Sequence, residues 1–203
     1  TPFIYYNKYN EVMEYCLYIK GCNIIEYYIS SFVDLETSLL EQMHNRKKRY
    51  IKKMEDKIDI RLSTDLDSFY PILISNKLKH KATPTHTLEE LKILMKKFPD
   101  QIKLLLSYQD NKIIGGALNF ITNQNSCILF YNMIDYEYQN LQIASLQIYA
   151  SLKWAQENEL KFLDIGVSQL YKGEQIIPHE SLINFKEQFG AKAMIRKVMK
   201  LKL

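Results

Sequence analysis

Between Cys127 and Gly166 the hydrophobic period of the sequence changes twice, and this pattern restricts the fold more than any other feature of the chain. Cys127–Met133 is a short apolar run rich in β-forming residues, which predicts a buried strand. From Asn140 to Asn158 apolar residues recur at helical spacing over a face so broad that it must lie against a sheet. Leu160–Gly166 is a second apolar run. A helical connection of this length between two strands predicts a βαβ unit whose strands pair in parallel or lie side by side.

Two further strands are predicted upstream of this unit. Lys103–Tyr108 and Ile113–Ile121 flank Asp110-Asn111, and this dipeptide tolerates the positive φ angles of a tight hairpin turn. Gly115-Gly116 within a strand pattern indicates a bulge or a close neighbouring backbone. The predicted order is therefore strand, strand, strand, helix, strand.

Composition limits the class of protein. The 203 residues fit one large domain or two small ones, and a hydrophobic share of 47% is ample for a core. No apolar run approaches the ~18 residues of a membrane span, and Thr1–Asn10 has no signal-peptide pattern. Cys16, Cys22 and Cys127 are odd in number, so we expect no disulfide framework. These features predict a globular, cytoplasmic protein, while the net charge of +4 does not by itself imply nucleic acid.

The N-terminal quarter of the chain carries the densest charge run. Glu11–Lys20 is a predicted helix, Asn23–Ser30 a predicted strand, and Asp34–Lys53 a predicted helix with Asp34 as its N-cap. The run Arg46–Lys53 forms the second half of that helix. Its basic side chains either form a solvated face or bind the phosphates of a nucleotide, an anionic precursor or tRNA. The residues that would share this face are Arg46, Arg49 and Lys53.

Lys57–Ser63 and Asp65–Lys79 read as a strand and a helix, and a second helix follows from a capping box at Thr87–Glu90. His86 directly precedes this box, at a helix end that favours anions. It is either a surface histidine or a contact to substrate. The histidines of the chain lack metal-ligand spacing, so we expect no metal site.

Four segments of the chain follow one another in an order that is typical of a known superfamily. They are Tyr131, the helix from Leu141 through Trp154-Ala155, Leu163-Asp164-Ile165-Gly166, and Asn184-Phe185-Lys186-Glu187-Gln188-Phe189-Gly190. With these motifs, the stretch from about Asp34 to the C terminus resembles the GNAT acyltransferases, and specifically their FemAB-like branch, in which "D-[FI]-G" and "F-K-x-x-F-G" motifs recur.

The resemblance implies an α+β GNAT-like fold: a mixed central sheet with an antiparallel meander, a central βαβ unit and flanking helices. It also implies a division of the chain. Residues 1–54 would be a remnant or partial first GNAT-like domain with a basic linking helix, and residues 55–203 the acyltransferase domain. The alternative is a complete, divergent chain.

The resemblance further implies N-acetyl or aminoacyl transfer to an amine by direct attack. The donor would be acetyl-CoA or aminoacyl-tRNA, and the acceptor a small molecule or a peptidoglycan or nucleotide-sugar precursor of the cell envelope. The turn Asp135–Leu141 has no glycine, unlike the pyrophosphate-binding turn of ordinary GNAT enzymes, which weakens the case for CoA. A catalytically silent module that binds an anionic partner through its basic helix is the competing hypothesis. The sequence does not fix the oligomeric state.

The resemblance also implies roles for single residues that occupy matching positions in the two motifs. Asp164 would orient a reacting group, or would only cap the next loop. Lys186 would neutralise charge developing on the acyl carbonyl or leaving group, or would be an ordinary exposed lysine. The full set of candidates is Lys186, Asp164, Tyr131 and Tyr171 for catalysis, Met133, Asn140, Gly166 and Lys172 for the donor, and His86, Arg46, Arg49 and Lys53 for the substrate.

Overall fold

A computed structural model describes residues 2–173 and 175–201, and its centre is a seven-stranded mixed sheet. The strands are β1 (Asn23–Asp34), β2 (Asp59–Ser63), β3 (Ile102–Gln109), β4 (Lys112–Ile121), β5 (Ser126–Ile134), β6 (Phe162–Val167), β7 (Gln169–Lys172), β8 (Gln175–Pro178) and β9 (Lys192–Lys200). The α-helices are α1 (Val12–Ile19), α2 (Leu39–Gln42), α3 (Asn45–Met54), α4 (Leu66–Lys79), α5 (Leu88–Lys97), α6 (Ile143–Glu157) and α7 (Glu180–Glu187). Short 3-10 helices span Phe3–Tyr5 and Tyr136–Leu141.

The strand order of the large sheet is β2-β3-β4-β5-β6-β1-β9, and β7 pairs with β8 in a separate ribbon. β2 through β5 form an antiparallel meander, whereas β5 and β6 are parallel and are joined by α6. β1 lies between β6 and β9 and is antiparallel to both. The predicted mixed sheet with a meander and a central βαβ unit is therefore confirmed.

The two faces of the sheet carry different helices. On the first face, α3 and α6 contribute Ile51 and Leu152 to the larger apolar core, and Phe189, just after the end of α7, belongs to the same core. On the second face, α4 and α5 cover β3 to β5 with Phe69 and Leu91. The 3-10 helix Phe3–Tyr5 packs Ile4 against Phe32 and Met194 at the far end of the same second face. The second face is thus covered in two separate parts, on either side of the β5–β6 pair.

Local signals in the sequence correspond to observed backbone geometry. Asp110 and Asn111 have φ angles of 49° and 62°, which joins β3 to β4 by the expected tight turn. A Cβ atom on Gly115 would lie 2.4 Å from Gln147 Nε2 and 2.7 Å from the Met133 carbonyl oxygen, so the close neighbouring backbone is also confirmed. The Thr87–Glu90 capping box is present at the start of α5.

The predicted helix Asp34–Lys53 is wrong. β1 continues to Asp34, and the chain then turns and forms two helices, α2 and α3. Leu35, Leu39 and Met43 suggested one helix because they recur at four-residue spacing, and all three are buried in the core of the first face. Because a turn and a one-turn helix can present residues to the same core, that spacing did not require a continuous helix.

Candidate functional site

β5 and β6 separate shortly after they begin to pair. Their register has three positions, ending with Ile128 opposite Asp164, although β5 continues to Ile134 and β6 to Val167. On its other side, β5 carries a bulge: Leu118 pairs with Tyr131 and Asn119 with Leu129, which leaves Phe130 as the extra residue. A bulge bends its strand and re-aims nearby side chains. The strands therefore leave a gap whose inner edges hold backbone groups outside the β5–β6 ladder.

Asp164 lies at the last paired position beside this gap and is fully buried. Its carboxylate accepts hydrogen bonds from the Gly166 amide at 2.7 Å, from Ser30 Oγ at 3.1 Å and from the Tyr5 hydroxyl. Arg196 forms an ion pair with it. The carboxylate thus caps the following loop and also balances a half-buried guanidinium. Burial and the nearby carboxylate together raise the pKa of Tyr5.

Lys186 reaches the gap from α7 and is only 5% exposed. Its ammonium donates to the carbonyl oxygens of Gly166 at 2.8 Å and Val167 at 2.9 Å, at the end of β6. Burial lowers the pKa of Lys186 to about 8, with Asp164 acting in the opposite direction. Gly166 has a φ of 82°, and a Cβ atom there would point into open space. Asp164, Gly166 and Lys186 are therefore brought together at one edge of the gap.

Tyr131 and His86 meet on the second face, on the other side of the gap. The Tyr131 side chain is 1% exposed, and its hydroxyl accepts from the backbone amides of Thr85 at 3.0 Å and His86 at 3.3 Å. The His86 ring packs against Phe120 and Phe130. His86 Nδ1 also lies 3.4 Å from the Tyr131 oxygen. Since the acceptor positions of the hydroxyl are used by the two amides, its own proton can be donated to this ring nitrogen or to another acceptor.

Four further candidates of the sequence analysis are more exposed than Asp164 and Lys186. Tyr171 is 64% exposed on the β7–β8 ribbon, and its hydroxyl accepts from Gln169 Nε2 at 3.3 Å. Lys172 is exposed on the same ribbon. Met133 is half-buried in β5, while Asn140 is exposed in the second 3-10 helix. Within residues 2–173 and 175–201, none of the four side chains forms a hydrogen bond with Asp164 or Lys186.

α3 presents its three candidate cations to solvent. Arg46, Arg49 and Lys53 are exposed, and none of them forms an ion pair in the part of the chain that the structure describes. The intervening Lys47 points the opposite way, into the protein, and is 5% exposed. Sequence reasoning missed it, although it lies four residues after Met43 and four before Ile51, on the buried stripe of the segment.

Three other kinds of functional feature were considered: a cysteine nucleophile, a metal site and a membrane-spanning helix. Cys127 is buried, and burial raises the pKa of its thiol to about 12, so it is not a thiolate nucleophile near neutral pH. Among the described residues, no three His, Cys, Asp or Glu side chains gather as metal ligands. In the same residues, no helix has both the length and the apolar character needed to cross a bilayer.

Comparison with known proteins identifies the fold. No family model and no curated protein sequence matches this chain. Among solved structures, FemX superposes with a TM-score of 0.70 at 10% identity, over 89% of this chain and 65% of FemX. L-PGS from Bacillus licheniformis gives 0.66 at 12% identity, over 95% and 66%. The C-terminal domain of a candidate lysylphosphatidylglycerol synthetase from Agrobacterium fabrum gives 0.66 at 11%, over 93% and 63%.

These similarities define a GNAT-like fold, in agreement with the mixed sheet and its diverging parallel strands. Within that class, the fold is similar to those of FemX and L-PGS. The chain spans slightly less than two thirds of the length of each of the three proteins.

Proposed function

We propose that this chain is an acyltransferase that moves an acyl or aminoacyl group to an amine in the gap between β5 and β6. The observation that carries the proposal is the position of Lys186: a buried ammonium held at the point where two parallel strands separate. An ammonium in a low-dielectric site stabilises negative charge far more than one in water. The fold that this chain shares with FemX and L-PGS supports the same proposal.

The site residues divide the work of direct attack. Backbone groups at the inner edges of the gap would receive the acyl carbonyl, and the third N–H of Lys186 would donate to the oxygen on which charge develops. Asp164 is already an ion-paired hydrogen-bond acceptor, so in this proposal it positions Gly166 and Arg196 and is not the base. Tyr131 would relay the proton: its hydroxyl proton would pass to the leaving group as the bond to the acyl carbon breaks, and its oxygen would take up the proton that the amine releases as the new bond forms.

Two donors are compatible with the proposal: acetyl-CoA and aminoacyl-tRNA. The acceptor would be an amine of a peptidoglycan or nucleotide-sugar precursor, and the location cytoplasmic. His86 would contact the acceptor from the Tyr131 side of the gap, and Tyr171 and Lys172 stay candidates on the exposed β7–β8 ribbon. The predicted division into residues 1–54 and 55–203 stays a prediction, and β1 of the first part lies inside the sheet of the second.

The test is a donor titration followed by a transfer assay. Acetyl-CoA, with CoA as the control, and an aminoacyl-tRNA are titrated into the protein by calorimetry, and the bound donor is then offered to amine acceptors. We expect one donor to bind and transfer to depend on Lys186, with Lys186→Met lowering kcat by more than about tenfold while donor affinity changes little. Binding of neither donor, or equal turnover by the variant, would refute the proposal.

A second candidate function is a silent module that binds an anionic partner through α3. The exposure of Arg46, Arg49 and Lys53 on one side of the helix, without ion pairs among the described residues, favours it. Its test is tRNA binding at two salt concentrations, since phosphate contacts make affinity fall steeply with salt. Binding that is absent or insensitive to salt would exclude this function.

A further inference from the structure

One polar side chain lies on the buried stripe of α4. The buried residues of this helix are Leu66, Phe69, Leu73 and Asn76, which follow one another at intervals of three and four positions and so share one face. Asn76 is 6% exposed. Because a buried amide is costly unless its polar atoms have partners, an apolar residue would be the ordinary choice at this position. Asn76 therefore indicates a specific hydrogen-bonding partner.

That partner is the backbone of Ile134, the last residue of β5. The Asn76 Nδ2 atom donates to the Ile134 carbonyl oxygen at 2.6 Å, and Oδ1 accepts from the Ile134 amide at 3.2 Å. Nδ2 also donates to the Ile72 carbonyl oxygen of α4 at 2.8 Å. A flipped amide would place its oxygen against both carbonyl oxygens, so these contacts fix the orientation of the side chain.

α4 lies close enough to the sheet for this short side chain to reach β5. A Cβ atom on Gly116 of β4 would lie 2.7 Å from Phe69 Cδ2, so the helix approaches at a place where a larger residue would clash. Phe69 and Leu73 are fully buried in the core of the second face and hold this part of α4 in place. The amide of Asn76 is therefore presented to β5 from a rigid element.

The groups of Ile134 that Asn76 binds lie on the edge of β5 that faces away from β4. Asp135, the next residue, donates its amide to the Ile114 carbonyl oxygen of β4 at 2.8 Å. Because successive N–H groups along a strand point to opposite edges, the Ile134 amide points to the other side. On that side β6 pairs with the first part of β5, up to Ile128, and then separates. Asn76 thus takes, at Ile134, the place that a continued β6 would occupy.

We infer that Asn76 is a positioning residue of the gap, whose side-chain amide replaces β6 as the partner of Ile134 and so fixes the edge of β5 where the strands are apart. A strand edge with no partner leaves its N–H and C=O groups to water or to another strand. With Ile134 held, the backbone groups between the bulge at Phe130 and Ile134 keep a fixed position for the acyl carbonyl. The inference rests on the proposed function for the acyl carbonyl, whereas the pairing of Asn76 with Ile134 does not depend on it.

The experiment compares amide hydrogen exchange in the ¹⁵N-labelled protein with that in Asn76→Leu, which keeps the branching of the side chain and removes its hydrogen bonds. We expect the Ile134 amide to exchange about tenfold or more faster in the variant. The Asp135 amide, bonded to β4, should change far less, and the ratio of the two rates removes any general loss of stability. Asn119→Leu is the matched control, because it also removes a fully buried amide, but one that donates to Ser151 of α6, and it should leave that ratio unchanged. Equal acceleration at Ile134 and Asp135 in Asn76→Leu would overturn the inference.

The wild-type protein provides a second measurement that does not depend on the folding of Asn76→Leu. The side-chain N–H groups of Asn76 should exchange about tenfold or more slowly than those of Asn111, which is exposed in the turn between β3 and β4. Equally fast exchange would show that the amide is not held in place, and the inference would then be wrong.

Transfer kinetics with the donor that binds then test the consequence for the gap. We expect Asn76→Leu to lower kcat by about tenfold or more and to change the KM for the donor by less than about twofold, because a misplaced carbonyl slows the transfer step and not the binding. Asn119→Leu should retain both constants. If Ile134 alone loses protection and the wild-type protein transfers nothing from either donor, the pairing stands and the proposed function fails. If the wild-type protein transfers and Asn76→Leu is equally fast, the proposed function stands and this inference fails.

Discussion

Replacing Lys186 by Met tests the burial of its ammonium without any knowledge of the substrate. The folded protein holds this group with a pKa of about 8, against an ordinary value of 10.5. Between those values the unfolded chain binds more protons than the folded chain, so the contribution of Lys186 to folding stability becomes more favourable as pH rises. Below about pH 8 both states are protonated and the full cost of burying the charge is present. Methionine keeps most of the side-chain volume and has no charge to titrate.

The size of the effect follows from the two pKa values. Lowering the pKa of Lys186 from 10.5 to about 8 destabilises the folded protein by roughly 3 kcal/mol at about pH 7. This cost falls to about 1.4 kcal/mol at about pH 9.5. The wild-type protein should therefore gain about 2 kcal/mol relative to Lys186→Met across that interval. Because the other titrating groups are common to both proteins, their contributions cancel in the difference.

The assay is urea unfolding, monitored by far-UV circular dichroism, at several values of pH between about 7 and about 9.5. Lys97→Met, at an exposed position of α5, serves as the control and should show no change in the difference with pH. A wild-type minus Lys186→Met difference that stays flat, or that moves in the opposite direction, would show that the ammonium is not buried as the structure indicates.

Two further predictions concern stability alone, and both are measured by urea or thermal unfolding. Arg196→Met removes the ionic partner of the buried Asp164 and should lower the free energy of unfolding by about 3 kcal/mol or more. Lys192→Met breaks a longer ion pair whose lysine is exposed and should lower it by less than about 1 kcal/mol. Equal losses would contradict the buried ion pair. Gly190 has a φ of 81°, and a Cβ atom there would lie 2.5 Å from a side-chain carbon of α2, whereas Gly21 has a φ of 78° and open space around it. Gly190→Ala should therefore destabilise the protein by clearly more than Gly21→Ala. A smaller or equal loss would contradict the close packing at Gly190.

The elements predicted correctly from sequence are those with strong local signals. α6 has a helical period over four turns, and the Asp110-Asn111 turn and the Thr87 capping box depend on residues within four positions of each other. The segment after Asp34 was predicted wrongly because its buried residues keep a four-residue spacing through a turn. The strand-helix-strand pattern predicted that β5 and β6 pair in parallel or lie side by side, and the resemblance implied the mixed sheet around them; the structure confirms both.

Part of the candidate site was also predictable from the sequence. The resemblance pointed to Asp164 and Lys186, and the structure places both at one edge of the gap. It gave no sign of Arg196 or Tyr5, because their contact with Asp164 joins segments far apart in the chain. Lys47 lay within a run of lysines and arginines, where its place on a buried stripe was the only distinguishing signal.

The position of β1 has a consequence for how the chain folds. Ser30 of β1 and its partner Asp164 are separated by 134 residues, and β9 is formed later still. During synthesis, β1 therefore emerges long before either of its neighbours and has two unpaired edges until β6 and β9 leave the ribosome. Such non-local pairing slows folding and exposes a strand with Phe32 and Val33 to intermolecular contact. We expect refolding at high protein concentration to lose yield chiefly through association of β1.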